Sequence, residues 1–201
     1  MGRRSDHSRA ELEALILETG QNLMEEVGFA HFSAREVAKR IGYTVGTVMR
    51  VFGSVDALVV AINSRTFTMW ARWLEECLQG AQDGQRIRAL VKGYFDFASQ
   101  RRNLWSAIYE HRVPDRVGIP EHLAEQRSQL MNIVTHEIAS VLPNERKDEA
   151  ERLSRSLVAT VHGHCSFALG GSFALMGEAD PFDLAMRRVA EILRANGANV
   201  D

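Results

Sequence analysis

Histidines beside carboxylates, a close pair of histidines and two isolated thiols are the groups in this chain that could carry chemistry, and their spacing argues against most of it. His136-Glu137 begins the H-E-x-x-H pattern of a zinc hydrolase, but the second histidine would have to stand at position 140, which is Ser140. His162 and His164 are two residues apart, so on a helix they point about 200° from each other and cannot hold one ion from the same face. There is no glycine-rich phosphate loop and no nucleophile motif. Cys77 and Cys165 lie far apart, each inside a helical pattern, and read as reduced thiols in a cytoplasmic setting rather than as a disulfide framework. No metal and no cofactor is expected. An all-α enzyme drawing acid and base groups from the C-terminal half remains an alternative that no residue pair supports.

The chemistry that the spacing does favour is phosphate and base-edge contact. The chain of 201 residues carries a formal net charge of −2, so nothing global advertises a polyanion as partner. Locally the balance differs: between His31 and Gly53, Arg35, Lys39, Arg40 and Arg50 face the single acid Glu36. Overlapping that window, GYTVGTVMRVFGS, residues 42–54, is almost uncharged and holds three glycines.

The elements that would position these residues are helices throughout, because apolar residues recur with period 3.6 and no stretch alternates with period 2. Leu12, Leu15, Ile16, Thr19, Leu23 and Val27 form one face of a first helix that stops at Gly28. Ser33-Ala-Arg-Glu36 has the form of a capping box and opens a short second helix ending near Gly42. Thr44 caps a third helix reaching Phe52, and Gly53-Ser54 breaks the chain before a long fourth helix over 55–79. Further helices are expected around 87–98, around 104–109, over 121–142, over 146–169 and from the Asp180-Pro181 start to Ala195, about nine in all. No apolar run reaches the roughly 18 residues of a membrane span.

Two short helices joined through Gly42 and backed by a longer one are the helix-turn-helix arrangement, whose second short helix enters a major groove. Val48 and Phe52 would face inward against Leu23, Val37 and Ile41, while Gly46 and Thr47 let the backbone approach phosphates. The other reading is an ordinary helical corner with solvated arginines.

The run from Gly28 through Val37-Ala38-Lys39-Arg40-Ile41-Gly42, then Thr44-Val45-Gly46-Thr47-Val48-Met49-Arg50-Val51-Phe52 and Ser54-Val55-Asp56-Ala57-Leu58, resembles the N-terminal domain of TetR-type transcriptional regulators. The resemblance implies an all-α chain with a three-helix DNA-binding head over 1–53 and a helical effector-binding and dimerisation domain over 54–201. It further implies a homodimer through the last two long helices, with double-stranded operator DNA and a small-molecule effector as partners. Tyr94-Phe95-Asp96-Phe97-Ala98 through Leu104-Trp105, with Val161-His162-Gly163, looks loosely like one of that family's effector domains.

Three positions depart from the family pattern: Met49 stands where an aromatic is usual, Val51 where a histidine is frequent, and Val55 where a lysine commonly begins the fourth helix. Part of the phosphate grip is thereby lost. Ser33, Arg35 and Thr44 at helix starts, and an arm bearing Arg3, Arg4 and Arg9, would compensate. Arg50 is the one long donor of the third helix, able to reach a guanine edge or a phosphate, with Thr44, Val45, Thr47 and Met49 completing the DNA-facing set.

Aromatic and soft side chains concentrate in the C-terminal part. Phe95, Trp105, Tyr109, Met131 and Phe167 are the candidate walls of an effector site, and His162 is its single orienting polar group, although each can equally be core packing. The effector so implied is largely apolar with one polar end. Leu153, Leu157, Val161, Cys165 and Leu169, then Ala185, Val189, Ile192 and Leu193, suggest more apolar surface than one bundle covers, hence a two-fold interface. The resulting expectation is a ligand-responsive repressor on a near-palindromic operator, with a helical sensor that has lost DNA binding as the second alternative.

Overall fold

The computed structural model describes residues 7–115 and 117–200. Among them the order is α1 (Arg9–Val27), α2 (Ala34–Arg40), α3 (Val45–Phe52), α4 (Val55–Gln79), α5 (Arg86–Gln100), α6 (Arg102–Glu110), α7 (Glu121–Val141), α8 (Ala150–Leu169), α9 (Ser172–Leu175) and α10 (Pro181–Ala195), with no strand. No single helix among the described residues is long and apolar enough to cross a membrane. The chain divides into two compact units, Met1–Thr66 with Arg101–Gln126, and Phe67–Gln100 with Arg127–Asp201, so the division passes through α4 and α7.

In the first unit the short helices are fixed by their caps. Ser8 and Glu11 form a complete capping box at the start of α1, the Ser8 hydroxyl accepting the Glu11 amide and the Glu11 carboxylate accepting the Ser8 amide. The box expected at Ser33 is half made: its hydroxyl accepts the Glu36 amide at 3.4 Å, but the Glu36 side chain turns to Lys39 and Arg40 instead. Thr44 caps α3 through the Thr47 amide at 3.3 Å. Gly42, with φ 75°, supplies the left-handed turn between α2 and α3 that a side chain would strain. Ile16, Leu23, Met24, Val37, Val48, Leu58, Ile62 and Leu104 are buried beneath these helices. α1 and α4 approach so closely that a Cβ on Gly20 would lie 2.8 Å from Ile62 Cδ1.

Polar fasteners tie α6 to that core. Asn103 Nδ2 donates to the Glu25 carbonyl at 2.7 Å, and Arg101 pairs with the Glu25 carboxylate. Asn63 Nδ2 donates to the Ala107 carbonyl at 3.2 Å. Just past α6, His111 Nε2 lies 3.3 Å from Asp56 Oδ1, with its ring against Phe29.

The second unit is organised around Trp70, which stacks on Phe97 with ring centres 4.9 Å apart and meets Tyr94 edge-on at 4.7 Å. α8 and α10 pack side by side. Leu157, Val161, Cys165, Ala185, Val189 and Leu193 are buried within the single chain, and Leu153, Leu169 and Ile192 are half-buried. Leu157, Val161 and Val189 face the unit's own interior together with Leu74, Leu90 and Ile138. The helix expected from 146 begins later: Asn144–Glu149 is a 3-10 segment after Pro143, and α8 starts at Ala150.

Both cysteines are free. Burial pushes the Cys165 thiol up to about 12 and raises that of the half-buried Cys77. With native protein at pH 8, iodoacetamide should leave Cys165 unmodified and react slowly at Cys77, both alkylating in urea; intact-mass spectrometry reads the number of adducts. Rapid native labelling of Cys165 would contradict its burial.

Candidate nucleic-acid interface and ligand cavity

The outer face of the helix-turn-helix is assembled from two helix starts and the exposed side of α3. Val48 is fully buried and seats α3, with Phe52 and Ile41 half-buried beside it. That orientation leaves Val45, Gly46 and Arg50 exposed, with Thr47 and Met49 partly so. Ser33 and Thr44, the two cap residues, precede free amides of α2 and α3, and such amides with their hydroxyls are phosphate donors.

The charges sort themselves by partner. The Arg40 guanidinium grips the Glu26 carboxylate through two hydrogen bonds of 2.9 and 2.8 Å and holds that carboxyl below its usual range. Lys39 lies 3.6 Å from Glu36. Arg35 and Arg50 are exposed and form no ion pair among the described residues, so their charge is available to a polyanion. Arg3 and Arg4 lie outside the described residues; Arg9, counted with the arm, is the first residue of α1. His7 Nδ1 lies 3.1 Å from the Tyr43 hydroxyl in the turn between α2 and α3. This contact has no signal in the sequence beyond the two ring types, because 36 residues separate them.

The six candidate effector residues are divided between the two units. Trp105, buried, and Tyr109, exposed, touch each other on α6 of the first unit, ring centres 5.3 Å apart. In the second unit Phe95 meets Phe182 edge-on at 5.7 Å, Met131 is half-buried, and Phe167 is exposed against Phe173 at 5.6 Å. His162 keeps a polar role: its Nδ1 lies 3.0 Å from the Tyr94 hydroxyl, and burial holds the imidazole below its ordinary pKa, hence neutral at pH 7. His164 Nδ1 lies 2.8 Å from its own helix's Thr160 carbonyl, so the two histidines serve different partners.

Beside the Tyr94–His162 pair the second unit contains a cavity with an empty volume of about 410 Å³, its open mouth included. Leu74 of α4, Leu90 and Tyr94 of α5, Ile138 of α7, Val161 of α8 and Val189 of α10 are among its walls. Val161 and Val189, whose spacing suggests a two-fold interface, line this cavity instead, because periodicity marks apolar faces without revealing where they fail to meet. Among the described residues no group of three or more His, Cys, Asp or Glu side chains could hold a metal.

Two family models match the chain. Residues 16–62 match the model of bacterial regulatory proteins of the tetR family, and residues 87–192 match the tetracyclin repressor-like C-terminal domain. No curated protein sequence matches. Among solved structures, a protein of unknown function from Rhodococcus sp. RHA1 has a TM-score of 0.73 at 20% identity, covering 99% of this chain and 100% of that one. A transcriptional regulator from the same source has a TM-score of 0.65 at 23% identity, covering 94% and 98%. The multidrug binding protein EbrR, complexed with imidazole, has a TM-score of 0.59 at 17% identity, covering 98% of each chain. With a helix-turn-helix head and a C-terminal domain that both match, the chain belongs to the TetR family of bacterial transcriptional regulators.

Proposed function

We propose that this chain is a cytoplasmic, homodimeric repressor that binds a near-palindromic operator and leaves it when a small, largely apolar molecule enters the effector domain. The observation that carries the reading is the pair Arg35, in the first turn of α2, and Arg50, in the last turn of α3, both exposed and in no ion pair among the described residues, while Arg40 beside them is held by Glu26. α3 of each copy enters a major groove, and the two grooves are one helical turn or a multiple apart. Ser33, Arg35 and Thr44 hold phosphates, with Arg3 and Arg4 of the arm adding sequence-independent affinity. Val45, Thr47, Met49 and Arg50 face the bases, the apolar ones suited to thymine methyl groups. The functional boundary falls after Gly53: residues 1–53 read DNA and 54–201 sense and dimerise.

The experiment is a selection of bound sequences from random duplex DNA. It should return an inverted repeat whose half-sites are about one helical turn apart. Enrichment of no sequence would overturn the repressor reading in favour of a sensor without DNA binding.

Dimerisation is also supported by an apolar surface where α8 ends and α9 follows. Leu175 is 92% exposed and Met176 70%, next to the exposed Phe167 and the Phe173 ring it touches. A cluster of this kind is rarely left to water. Leu175→Glu with Met176→Glu should convert a dimer into a monomer at micromolar concentration, read by sedimentation velocity. An unchanged dimer would place the two-fold contact elsewhere.

A further inference from the structure

The cavity between α4, α5, α7, α8 and α10 has a wall of leucine, isoleucine and valine side chains, and the only polar side-chain atom in that wall is the Tyr94 hydroxyl. That hydroxyl already lies 3.0 Å from His162 Nδ1. The buried charge nearest in sequence is Glu137, adjacent to the lining residue Ile138, and both its oxygens are taken by Arg86. An ion entering this space would lose its water and gain neither a counter-charge nor the several hydrogen bonds a buried charge requires. A hydrocarbon loses nothing by the same transfer and releases the ordered water around it. At the Tyr94–His162 pair one hydroxyl or carbonyl could exchange into the existing hydrogen bond.

We infer that this cavity is the effector site and that its ligand is an uncharged, predominantly hydrocarbon molecule carrying at most one hydroxyl or carbonyl, placed against Tyr94. The assignment rests on the reading of the second unit as the effector domain. It moves the ligand away from Phe95, Trp105, Tyr109, Met131 and Phe167, and it excludes carboxylates and alkylammonium ions as inducers.

Three probes of one chain length separate the terms: 1-octanol, octanoate and octylammonium, titrated into the full-length protein by calorimetry and thermal shift at pH 7. Octanol should bind saturably and raise the melting temperature, while both ions bind at least 30-fold more weakly. Val161→Phe, which fills the cavity, should abolish octanol binding; Val158→Phe, on a partly exposed lining residue, serves the same purpose should Val161→Phe fail to fold. Tyr94→Phe should weaken octanol severalfold and leave toluene unchanged. Ions binding as tightly as octanol, octanol binding undiminished in a folded filled variant, or no binding of any probe would each overturn the inference. Operator titrations with and without octanol test the regulator reading separately: binding in the cavity with unchanged operator affinity would uphold the site and refute its coupling to DNA.

Discussion

Replacing Arg50 by alanine should lower operator affinity by at least about thirtyfold and relax the preferred base at one position of each half-site. Arg50 is exposed on α3, unpaired among the described residues, and stands one turn beyond Gly46 on a helix seated by Val48. A guanidinium on a guanine edge is worth roughly 1 to 3 kcal/mol of discrimination, and a dimer makes the contact twice, so the loss is roughly 2 to 6 kcal/mol. Arg35 supplies the contrast. It lies in the first turn of α2, where a cation meets backbone phosphate, so Arg35→Ala should weaken binding to most sequences alike and flatten the salt dependence. Deleting residues 1–5 should behave like Arg35→Ala. Titrations against single-base operator variants at two salt concentrations distinguish the outcomes. Equal, sequence-independent losses for Arg50→Ala and Arg35→Ala would make Arg50 another phosphate clamp and leave the reading to Thr44, Val45 and Thr47.

Replacing Glu137 by alanine should destabilise the second unit by roughly 3 kcal/mol, the lower end of the range for breaking a buried ion pair. The Glu137 side chain is only 3% exposed and Arg86 31%. Arg86 donates to both carboxylate oxygens, at 2.7 and 2.6 Å, and through Nη1 to the Leu78 carbonyl near the end of α4 at 3.2 Å. One guanidinium thus joins the starts and ends of three helices. Alanine would remove the carboxylate that accepts from two of its donors. A chain of 201 residues melting as one loses about 2 to 4 °C per kcal/mol, so the melting temperature should fall by roughly 6 to 12 °C. Glu137→Gln, which retains one acceptor, should cost less. If Glu137→Ala melted like the parent, the pair would be balanced by its own desolvation.

The helices that were legible in the sequence are those whose ends carry chemistry. Thr44, Gly53-Ser54 and Asp180-Pro181 each set a boundary that the structure reproduces, because caps and turn residues act on the chain within a few residues. Asn144–Glu149 was read partly as helix, since its composition suits either winding and only the geometry after Pro143 decides. Gly170-Gly171 closed α8 at Leu169 and allowed only the four-residue α9 to follow. The cavity was illegible for a deeper reason. Conspicuous aromatics drew attention to Trp105 and Phe167, yet Trp70, Tyr94 and Phe97 fill space against each other, and empty space remains among ordinary valines and leucines. A gap is a property of several helices at once, and no single stretch of chain encodes it.

α6 has a consequence for how this protein could be rebuilt. Its asparagine, its Ala107 carbonyl and the following His111 engage Glu25, Asn63 and Asp56, groups that belong to α1 and α4. A chimaera joined at Ser54, carrying this reading head on another regulator's body, would set a foreign α4 and α6 against α1 and orphan the Glu25 carbonyl beneath them. The portable cassette is discontinuous: α1 to α3 travel only with the first half of α4 and with α6, and a change of DNA specificity is more safely made by exchanging the outer residues of α3 than by exchanging the head.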